Sequence, residues 1–531
     1  MSSTYSTDSP GVPGNGMARV LPTDAGLQTV DLEEIKPKAE AMRLAPGEYA
    51  LQHQVLPISI ENDVLVVAIG STASLQAVDD LGILIGKPVR AVLAEASLIR
   101  ERIEEHFLEG ILANLPGEEA SAAATEIDDT TDLADLQKMA GEAAVVQMVN
   151  LIFAQATRDG ASDIHIEPYE RQVKVRYRID GMLREMMSPP KRMQAALVSR
   201  IKILAEMNIA ERRLPQDGRI KLTIAGRQID VRVSIVPTVY GERAVMRILD
   251  KTTALLGLEE LGMAPDTLGK WRKVITQPYG IILVTGPTGS GKSTSLYATL
   301  QEIYSPTTNI LTIEDPVEYQ VPGIGQIQVR TNIGLTFASG LRSIVRQDPD
   351  IIMVGEIRDH ETAEIAIHAA LTGHLVFSTL HTNDAPGAIT RLLDMGVEPY
   401  LAASSLIGVA AQRLVRRNCP NCSAPAEPNP DALKSIGVGP NEMAGARLMR
   451  GRGCDKCGGS GFKGRQGVYE LLLVDEPVRH MTVERSSASK IRDYAIKEQG
   501  MRTLLGDGRM QVLSGRTTPE EVLRVCQREE L

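Results

Sequence analysis

The sequence predicts an α/β protein of several domains, and three observations support this prediction. The chain has 531 residues, which is more than one hydrophobic core usually serves and suggests roughly three or four domains. From residue 266 onward, short apolar runs alternate with helical patterns, as in a mostly parallel, buried sheet. Between residues 46 and 250 the apolar runs instead form hairpins mixed with helices, which is typical of smaller α+β domains.

The N-terminal part predicts a disordered leader, a small domain and a linker. Residues 1–45 open with a stretch rich in Ser, Gly, Pro and Thr, a composition that buries too little apolar surface to fold. Residues 46–110 form an α+β pattern in which His53–Ile60 and Val64–Ile69 flank a polar turn and predict a hairpin. Residues 111–140 are acidic and rich in alanine, which indicates a linker.

A second α+β domain is predicted at residues 141–250. Apolar residues between Val145 and Ala156 fall at helical spacing. Strands are expected at Val173–Ile179, Ile220–Ile224 and Gln228–Val236. The Ala225-Gly226 step predicts the turn between the last two strands, and residues 251–265 are expected to form a hinge to the domain that follows.

The third domain, predicted at residues 266–531, contains the most informative motif of the chain. An apolar run at Ile281–Val284 leads into a glycine-rich turn that ends in Lys-Ser, and this fits the P-loop pattern of Gly, four residues and Gly-Lys-Ser. Such glycines let backbone N–H groups converge on a phosphate, and the helix that follows presents its positive end to it. The residues expected to bind a nucleoside triphosphate are Gly286, Pro287, Thr288, Gly289, Ser290, Gly291, Lys292, Ser293 and Thr294.

Two of these side chains have specific expected roles. Lys292 should reach the β- and γ-phosphates of ATP, and the Ser293 hydroxyl should ligate Mg²⁺. The competing interpretation is a glycine-rich corner between strand and helix with an accidental Lys-Ser. The apolar strand directly before the turn disfavours it.

Acidic residues end two further apolar runs. Glu314 and Asp315 directly follow the run Ile310–Ile313. Glu356 follows the run Ile351–Val354 after one glycine. Because ligands lie beyond the carboxyl ends of parallel strands, both acidic groups are expected to face the phosphates. Glu356 is the candidate that polarises the attacking water.

The sequence departs here from the ordinary nucleotide-hydrolase pattern. The position usually held by a magnesium-binding Asp is Gly355, so Glu314 and Asp315 become the candidates that balance the magnesium charge. The alternative is that these are ordinary surface acids at strand ends.

Two histidines flank another buried-strand pattern at Leu375–Leu380. His374 precedes it and His381 follows it, and an odd separation of seven residues makes the two rings face opposite ways in a strand. His381 lies at the carboxyl end and is the candidate that senses the γ-phosphate. His374 lies at the far end, where a structural histidine is an equal alternative.

Four of the five cysteines form two CxxC pairs. Cys419, Cys422, Cys454 and Cys457 indicate tetrahedral zinc held by four thiolates, within a module predicted at residues 415–465. A redox dithiol is the alternative. Cys526 remains and is expected to be a small buried residue. Helices are expected at residues 470–531.

Composition narrows the partners and the location. The net charge is −10 and the chain has one Trp, so direct nucleic-acid binding is not expected. No apolar run approaches the about 20 residues that span a bilayer, and no secretory signal begins the chain. A cytoplasmic protein, peripheral at the inner membrane through partners, is expected.

The cysteine module is basic in this acidic chain. Residues 413–465 contain ten Lys and Arg against four acids, a charge of about +6. One hypothesis is that the module faces anionic lipid or an acidic loop of a membrane platform protein. A solvated basic face is the alternative.

Several motifs, taken in order, resemble the secretion ATPase superfamily, specifically the type II secretion and type IV pilus assembly ATPases. The matching stretches are Gly160–Pro168, Leu214–Arg219, the P-loop, the acidic box Glu314–Glu318, the strand ending at Glu356, and the histidine box His374–His381. The run Thr379–Ala385 is especially specific. The resemblance extends from about residue 46 to the C-terminus.

The resemblance implies a fold and further site residues. It implies a RecA-like P-loop ATPase domain preceded by two smaller α+β domains, the second of them PAS-like, with a zinc-binding insertion. Arg232 and Arg247 match family arginines that reach phosphate, and Arg342 and Arg346 match arginines at a ring contact. A surface ion pair is the alternative for each.

The resemblance also implies a function. Such proteins are similar in being homo-hexameric motors that hydrolyse ATP to assemble a pilus or pseudopilus, and the cysteine module is typical of assembly members. Residues 46–110 would dock onto a membrane-anchored partner, and an inner-membrane platform protein would receive the work. The alternatives are a nucleotide-binding scaffold without turnover and the motor of a pilus-dependent DNA-uptake system.

Overall fold

The computed structural model describes residues 27–32, 35, 37–42, 44–45, 49–50, 53–96, 98–99, 102–103, 143–224, 227–250, 256–427, 429–443 and 445–526. The described part of the predicted leader is not disordered as expected, because Leu32 is fully buried and Ala39–Met42 form a helix. The rest of the leader, the linker, the turn at Ala225-Gly226 and residues 251–255 of the hinge lie outside the described residues, so these remain predictions. The backbone divides into two compact units. One comprises residues 1–177 and 184–248, and the other comprises residues 178–183 and 249–531.

The helices of the described residues are distributed over both units. They span Ala39–Met42 (α1), Leu75–Ile85 (α2), Ala143–Arg158 (α3), Gln194–Leu204 (α4), Pro265–Ile275 (α5), Lys292–Ile303 (α6), Phe337–Ile344 (α7), His360–Leu371 (α8), Pro386–Asp394 (α9), Pro399–Ser405 (α10), Pro430–Ser435 (α11), Glu476–Val483 (α12), Ala488–Lys497 (α13), Leu504–Leu513 (α14) and Pro519–Val525 (α15). Within the described ranges, no helix is long and apolar enough to cross a bilayer.

The strands of the described residues form four sheets. They span Val55–Glu61 (β1), Val64–Ile69 (β2), Val89–Leu93 (β3), Asp163–Pro168 (β4), Val173–Ile179 (β5), Met182–Met187 (β6), Gln216–Ile224 (β7), Arg227–Thr238 (β8), Gly241–Asp250 (β9), Gly280–Thr285 (β10), Ile310–Glu314 (β11), Gly325–Gln328 (β12), Ile351–Val354 (β13), Leu375–Leu380 (β14), Leu406–Asn418 (β15), Ser423–Pro425 (β16), Met449–Gly451 (β17) and Phe462–Leu473 (β18).

The first sheet has the order β1-β2-β3. β1 and β2 pair antiparallel, which confirms the predicted hairpin. Its turn residues Asn62 and Asp63 both have positive φ, 50° and 66°, and these residue types tolerate that conformation best after glycine. β3 returns parallel to β2 after helix α2.

The second sheet has the order β6-β5-β4-β9-β8-β7. β4 is buried along its whole length although it contains Asp163, His165 and Glu167. Arginines on the neighbouring β9 compensate the buried charge: Arg247 Nε donates to Asp163 Oδ1 at 3.0 Å, and Arg243 lies 2.8 Å from Glu167. Buried carboxylates tolerate such positions only when paired in this way.

The third sheet has seven strands in the order β12-β11-β13-β14-β10-β15-β18. All its neighbouring pairs run parallel except β15 and β18, which run antiparallel. Alternate residues of β10 enter different cores: Ile281 and Leu283 pack on one face, and Ile282 and Val284 on the other. Burial on both faces confirms the mostly parallel sheet that the uninterrupted apolar runs predicted.

The strand order places three loops at one edge of this sheet. β10 lies beside β14, and β14 lies beside β13. The segments that follow these three strands therefore meet at the carboxyl edge, where ligands bind in open α/β sheets. Each of the three segments carries residues that the sequence singled out.

A buried carboxyl on β18 should make the stability of the second unit depend on pH. Burial raises the pKa of Glu470 to about 7, and the backbone N–H groups of Ala385 and Leu504 that bind it only partly oppose this. Since the unfolded chain releases this proton near 4.5, the contribution to stability is fully present below that pH and is lost as pH rises through about 7. We expect the unfolding temperature of wild type to fall relative to Glu470→Gln between pH 5 and pH 8. Differential scanning calorimetry measures both unfolding temperatures. A difference between wild type and Glu470→Gln that stays constant from pH 5 to pH 8 would contradict this assignment.

Candidate functional site

The turn between β10 and α6 has the backbone conformation of a phosphate-binding loop. Gly286, Gly289 and Gly291 all have positive φ, 150°, 78° and 89°, values that residues with a side chain rarely adopt. α6 begins at Lys292 directly after this turn, so its first N–H groups have no partner within the helix. The turn therefore presents free donors and the positive end of a helix to the same point.

Two observations show that this turn fits a nucleotide phosphate. A Cβ atom built on Gly286 would lie 2.6 Å from Ser290 Oγ and 2.5 Å from Gln412 O, so only glycine allows the backbone to come this close. The Ser290 hydroxyl is buried at 3% exposure, and within the described part of the chain it has no hydrogen-bond partner. A buried hydroxyl of this kind is suited to a ligand oxygen.

The other P-loop side chains lie at the surface of the same turn. Pro287 and Thr288 are exposed, as is Ser293, whereas Thr294 is half-buried in the first turn of α6. The exposed Ser293 hydroxyl is therefore accessible to an ion, in keeping with its expected role. That role remains a prediction.

Lys292 is folded back over the turn. Its Nζ donates to Gly286 O at 2.9 Å and to Pro287 O at 3.2 Å. Burial lowers the pKa of Lys292, while the nearby Glu356 charge raises it and the Arg413 charge lowers it further. The Lys292 ammonium therefore lies beside the first glycine of the loop, where the charges of Glu356 and Arg413 both act on it.

Glu356 lies in the segment after β13, at the same edge of the sheet. Its carboxylate forms ion pairs with Arg358 and with His381, whose Nε2 lies 3.1 Å from Glu356 Oε2. Burial raises the pKa of Glu356, but hydrogen bonds from Arg358 and His381 outweigh it and hold the pKa below its ordinary value. The structure therefore brings together two residues that the sequence singled out, Glu356 and His381, and adds Arg358, which sequence reasoning missed. The only signal was its place two residues after the acid.

Hydrogen bonds hold the loop after β14 against the P-loop strand. Thr285 Oγ1 accepts from Thr382 N at 2.8 Å and lies 2.7 Å from Thr382 Oγ1. On the next strand, Thr379 Oγ1 donates to Gly355 O at 2.7 Å. The residue before Glu356 and the residue after His381 are thus both anchored, which orients the pair.

Glu314 is enclosed rather than open to the site. It is 5% exposed and accepts hydrogen bonds from Tyr297 Oη, from Thr312 Oγ1 at 2.6 Å and from Gln326 Nε2 at 3.1 Å. Tyr297 belongs to α6, so this carboxylate ties the P-loop helix to the neighbouring strands. Its predicted part in balancing magnesium charge remains a prediction.

His374 has the contacts of a structural residue. Its Nδ1 lies 2.7 Å from Ala369 O and 3.3 Å from Thr372 Oγ1, at the end of α8. It precedes β14, so it lies at the opposite end of the strand from His381. The two histidines therefore lie at opposite ends of β14, as their places before and after the predicted strand implied. That the two rings face opposite ways remains a prediction.

The four arginines suggested by the resemblance have varied surroundings. Arg247 pairs with Asp163 yet remains 54% exposed, and Arg232 lies within β8 of the same unit. Arg342 pairs with Glu361. The four-residue spacing of Arg342 and Arg346 would place both on one face of a helix, but α7 ends at Ile344, so Arg346 lies beyond it. The roles of these arginines remain predictions.

The four paired cysteines converge on one point. Their sulfur atoms all lie within 4.8 Å of one another, with Sγ–Sγ distances of 3.9 Å for Cys419–Cys454 and Cys422–Cys457 and 3.7 Å for Cys454–Cys457. Four thiolates at Zn–S distances of about 2.3 Å in a tetrahedron would be about 3.8 Å apart. The set therefore fits zinc.

Backbone donors prepare one of these thiols as a ligand. Cys454 N donates to Cys457 Sγ at 3.2 Å, and Gly461 N donates to it at 3.3 Å. Burial raises the pKa of Cys457, but these two N–H groups outweigh it and bring the pKa to about 7. A thiolate is the form that binds metal.

Purified protein is expected to contain one zinc per chain, and Cys454→Ser should lose it, because three protein ligands hold the ion much less tightly than four. Elemental analysis of the metal-to-protein ratio measures this. The matched control is Cys526→Ser, which changes a buried cysteine in the apolar core of the same unit and should keep the zinc. Equal zinc content in both variants, or a disulfide in place of the metal, would favour the redox alternative.

Comparisons with known proteins agree with this geometry. The family described as "Type II/IV secretion system protein" matches residues 138–524, and the "MshEN domain" matches residues 25–111. The chain is 44% identical over 503 residues to the type IV pilus assembly ATPase PilB of Myxococcus xanthus, covering 94% of this chain and 88% of that protein. It is 45% identical over 507 residues to the type II secretion system protein E of Klebsiella pneumoniae, covering 92% and 98%.

One solved structure supports the fold. The ATPase DotB of Legionella pneumophila is similar with a TM-score of 0.52 and 20% identity, over 71% of this chain and 95% of that one. At this identity the likeness shows an α/β ATPase fold. The family match over more than half of the chain, together with the two long alignments, shows that this chain belongs to the type II/IV secretion system protein family.

Proposed function

We propose that this chain is an ATPase motor that converts ATP to ADP and phosphate and uses the energy to assemble a pilus or pseudopilus, in type IV pilus biogenesis or type II secretion. One observation carries the proposal: the Glu356 carboxylate, held by His381 and Arg358, lies at the same sheet edge as the loop of Lys292. The names of the relatives, a pilus assembly ATPase and a type II secretion protein, support the process served.

The P-loop binds and orients the triphosphate in this proposal. Its N–H groups and the start of α6 attract the phosphate oxygens, and Lys292 offsets their charge. Ser293 would hold Mg²⁺, which when bound neutralises the phosphate charge. Glu314 and Asp315 at the end of β11 would balance the charge of the ion without ligating it. Gly355 has no carboxylate to offer the ion. Its backbone lies close to Glu314, because a Cβ built on Gly355 would lie 3.3 Å from the Glu314 Cα.

Glu356 is the residue that takes a proton from the attacking water. Hydrogen bonds hold its pKa below its ordinary value, so the group is ionised at neutral pH and can accept a hydrogen bond from water. His381, 48% exposed, contacts the same carboxylate and would report loss of the γ-phosphate to the loop that follows β14.

Arginines and oligomerisation complete the motor. We propose that Arg232 and Arg247 stabilise charge on the phosphate during hydrolysis, as the family resemblance implies, in a homo-hexameric RecA-like ring. The exposure of Arg247 beside Asp163 supports this, since the guanidinium remains accessible. Such a charge contact couples hydrolysis to movement.

The proposed partners lie at the inner membrane. Residues 46–110 would dock on a membrane-anchored partner, and a platform protein would receive the movement, with the chain in the cytoplasm. Where the cysteine module meets residues 514–516, a cavity of about 240 Å³ is lined by Arg417, Arg447 and Arg516, and its lining residues include no acidic side chain. This supports the hypothesis that the module contacts an anionic lipid surface.

The lipid contact predicts a specific loss of membrane binding. Each arginine near an anionic surface contributes about 1 kcal/mol, so changing Arg417, Arg447 and Arg516 to Gln should weaken binding to phosphatidylglycerol vesicles about a hundredfold. Co-sedimentation with vesicles measures this, and Arg479→Gln, an exposed arginine on α12, is the matched control. Unchanged binding of the triple variant would leave the basic module as a solvated face.

A direct experiment tests the function as a whole. Purified full-length protein with Mg²⁺ and ATP is expected to release phosphate, and its mass in light scattering should match six copies. If the six-copy assembly with Mg²⁺ and ATP released no phosphate, the motor function would be overturned and a nucleotide-binding scaffold would be favoured.

A further inference from the structure

Arg413 is a buried cation next to the P-loop that has no part in the roles described above. It lies on β15, which pairs in parallel with β10 so that Ala411 stands opposite Thr285, the last residue before the loop. Because both strands run in the same direction, Arg413 is level with the first residues of the loop. It is 8% exposed.

The guanidinium of Arg413 joins two parts of the site. A Cβ on Gly286 would lie only 3.1 Å from Arg413 Nη1, so this group closely contacts the first glycine of the P-loop. Nη1 donates to Gln412 O at 3.1 Å, and Nη2 donates to Asn383 O at 3.0 Å. Asn383 belongs to the loop that follows β14 and carries His381. One side chain therefore links the phosphate-binding turn to the histidine loop.

The charge of Arg413 has no close opposite charge within the described part of the chain. Its hydrogen-bond acceptors are carbonyl and amide oxygens, while Cys526, Glu470 and Asp384 act on its charge without forming an ion pair with it. Arg416 on the same strand differs, since it pairs with Glu521 at 2.5 Å. Burial lowers the pKa of Arg413, which is the sign of a cation that is poorly compensated. Burying such a charge destabilises a protein unless an anion reaches it.

We infer that Arg413 is a positioning residue whose counter-charge is the bound nucleotide phosphate, and that it holds the histidine loop in register with the P-loop when phosphate is present. A phosphate group at the P-loop brings negative charge next to Gly286 and therefore next to Nη1. The planar guanidinium can keep both carbonyl contacts while it faces this charge, whereas an ammonium group cannot. The inference rests on the proposed function, since it needs ATP or ADP at the P-loop.

The test compares stability and nucleotide affinity in the same variants. For full-length Arg413→Gln, the unfolding temperature without nucleotide should equal or exceed that of wild type, because a poorly compensated buried charge is removed. Its affinity for ADP with Mg²⁺, measured by calorimetry, should fall about tenfold, or about 1.4 kcal/mol. Arg413→Lys keeps the positive charge but lacks the planar guanidinium that makes both carbonyl hydrogen bonds. Its affinity for ADP should therefore be close to that of wild type, while its kcat for ATP should be at least about fivefold lower than that of wild type.

Arg416→Gln is the matched control from the same strand. It breaks an ion pair with Glu521, so it should lower the unfolding temperature without changing ADP affinity. A lower unfolding temperature of Arg413→Gln with unchanged ADP affinity would make Arg413 a structural residue and overturn the inference. Should Arg413→Gln fail to fold, wild-type kcat in Arg413→Lys would overturn it instead. If wild type itself does not bind ADP, the proposed function falls; if wild type binds and Arg413→Gln binds equally, only the inference falls.

Discussion

Replacing Glu356 with Gln is expected to lower ATP turnover about a hundredfold or more, the usual loss when a general base is removed. The amide can still accept a hydrogen bond from Arg358 or His381, so the local structure should persist. ATP affinity should stay within about threefold of wild type, because Glu356 acts on water and not on the phosphates. Single-turnover phosphate release and equilibrium ATP binding, measured on the same preparation, separate these two quantities.

Glu364→Gln is the matched control for this change. Glu364 is an exposed carboxylate on α8, only eight positions further along the chain, and its loss should leave turnover at the wild-type level. Wild-type turnover in Glu356→Gln would show that another group activates water.

The pH dependence of turnover offers an independent check on Glu356. Because hydrogen bonds from Arg358 and His381 hold its pKa below the ordinary carboxyl value, the carboxylate stays ionised to a lower pH than a free glutamate does. kcat/KM of wild type should therefore decline only below the pH at which a free glutamate protonates. A decline that begins nearer neutrality would indicate a different titrating group.

Replacing Lys292 with Ala is expected to abolish detectable phosphate release and to weaken ATP binding about a hundredfold, since the ammonium offsets phosphate charge in both the bound and the transition state. Filter binding of labelled ATP and a phosphate-release assay measure the two effects. Lys273→Ala, at an exposed position on α5, is the control and should change neither.

The stability of the Lys292 variant must be followed separately. Lys292 donates to the carbonyl oxygens of Gly286 and Pro287, so its loss removes two hydrogen bonds within the turn, each contributing about 1 kcal/mol. A modest drop in unfolding temperature is therefore expected alongside the loss of activity. Retained phosphate release in a folded Lys292→Ala protein would refute the P-loop as the catalytic site.

The smaller sheets show where sequence reasoning was incomplete. The hairpin of β1 and β2 and the strand β5 were predicted, because apolar runs and turn residues mark them. β4 was not predicted as a strand, since it is short and its isoleucines alternate with the ionisable residues Asp163, His165 and Glu167. Asp163 and Glu167 pair with Arg247 and Arg243 of β9, and Glu167 also pairs with Arg176 of β5. The partners on β9 lie too far along the chain to leave a local pattern.

Local residue types predicted the P-loop, the two CxxC pairs and the buried strands of the parallel sheet, because each of these patterns is contained in a short stretch of chain. Three other features depended on the tertiary structure: the ion pair of Glu356 with His381, the enclosure of Glu314 by Tyr297 and Gln326, and the contact of Arg413 with the first glycine of the loop. In each of these, neighbouring strands or a helix bring together residues that are distant in the sequence. The burial and charge surroundings of these side chains result from packing between segments, so no single segment of the sequence determines them.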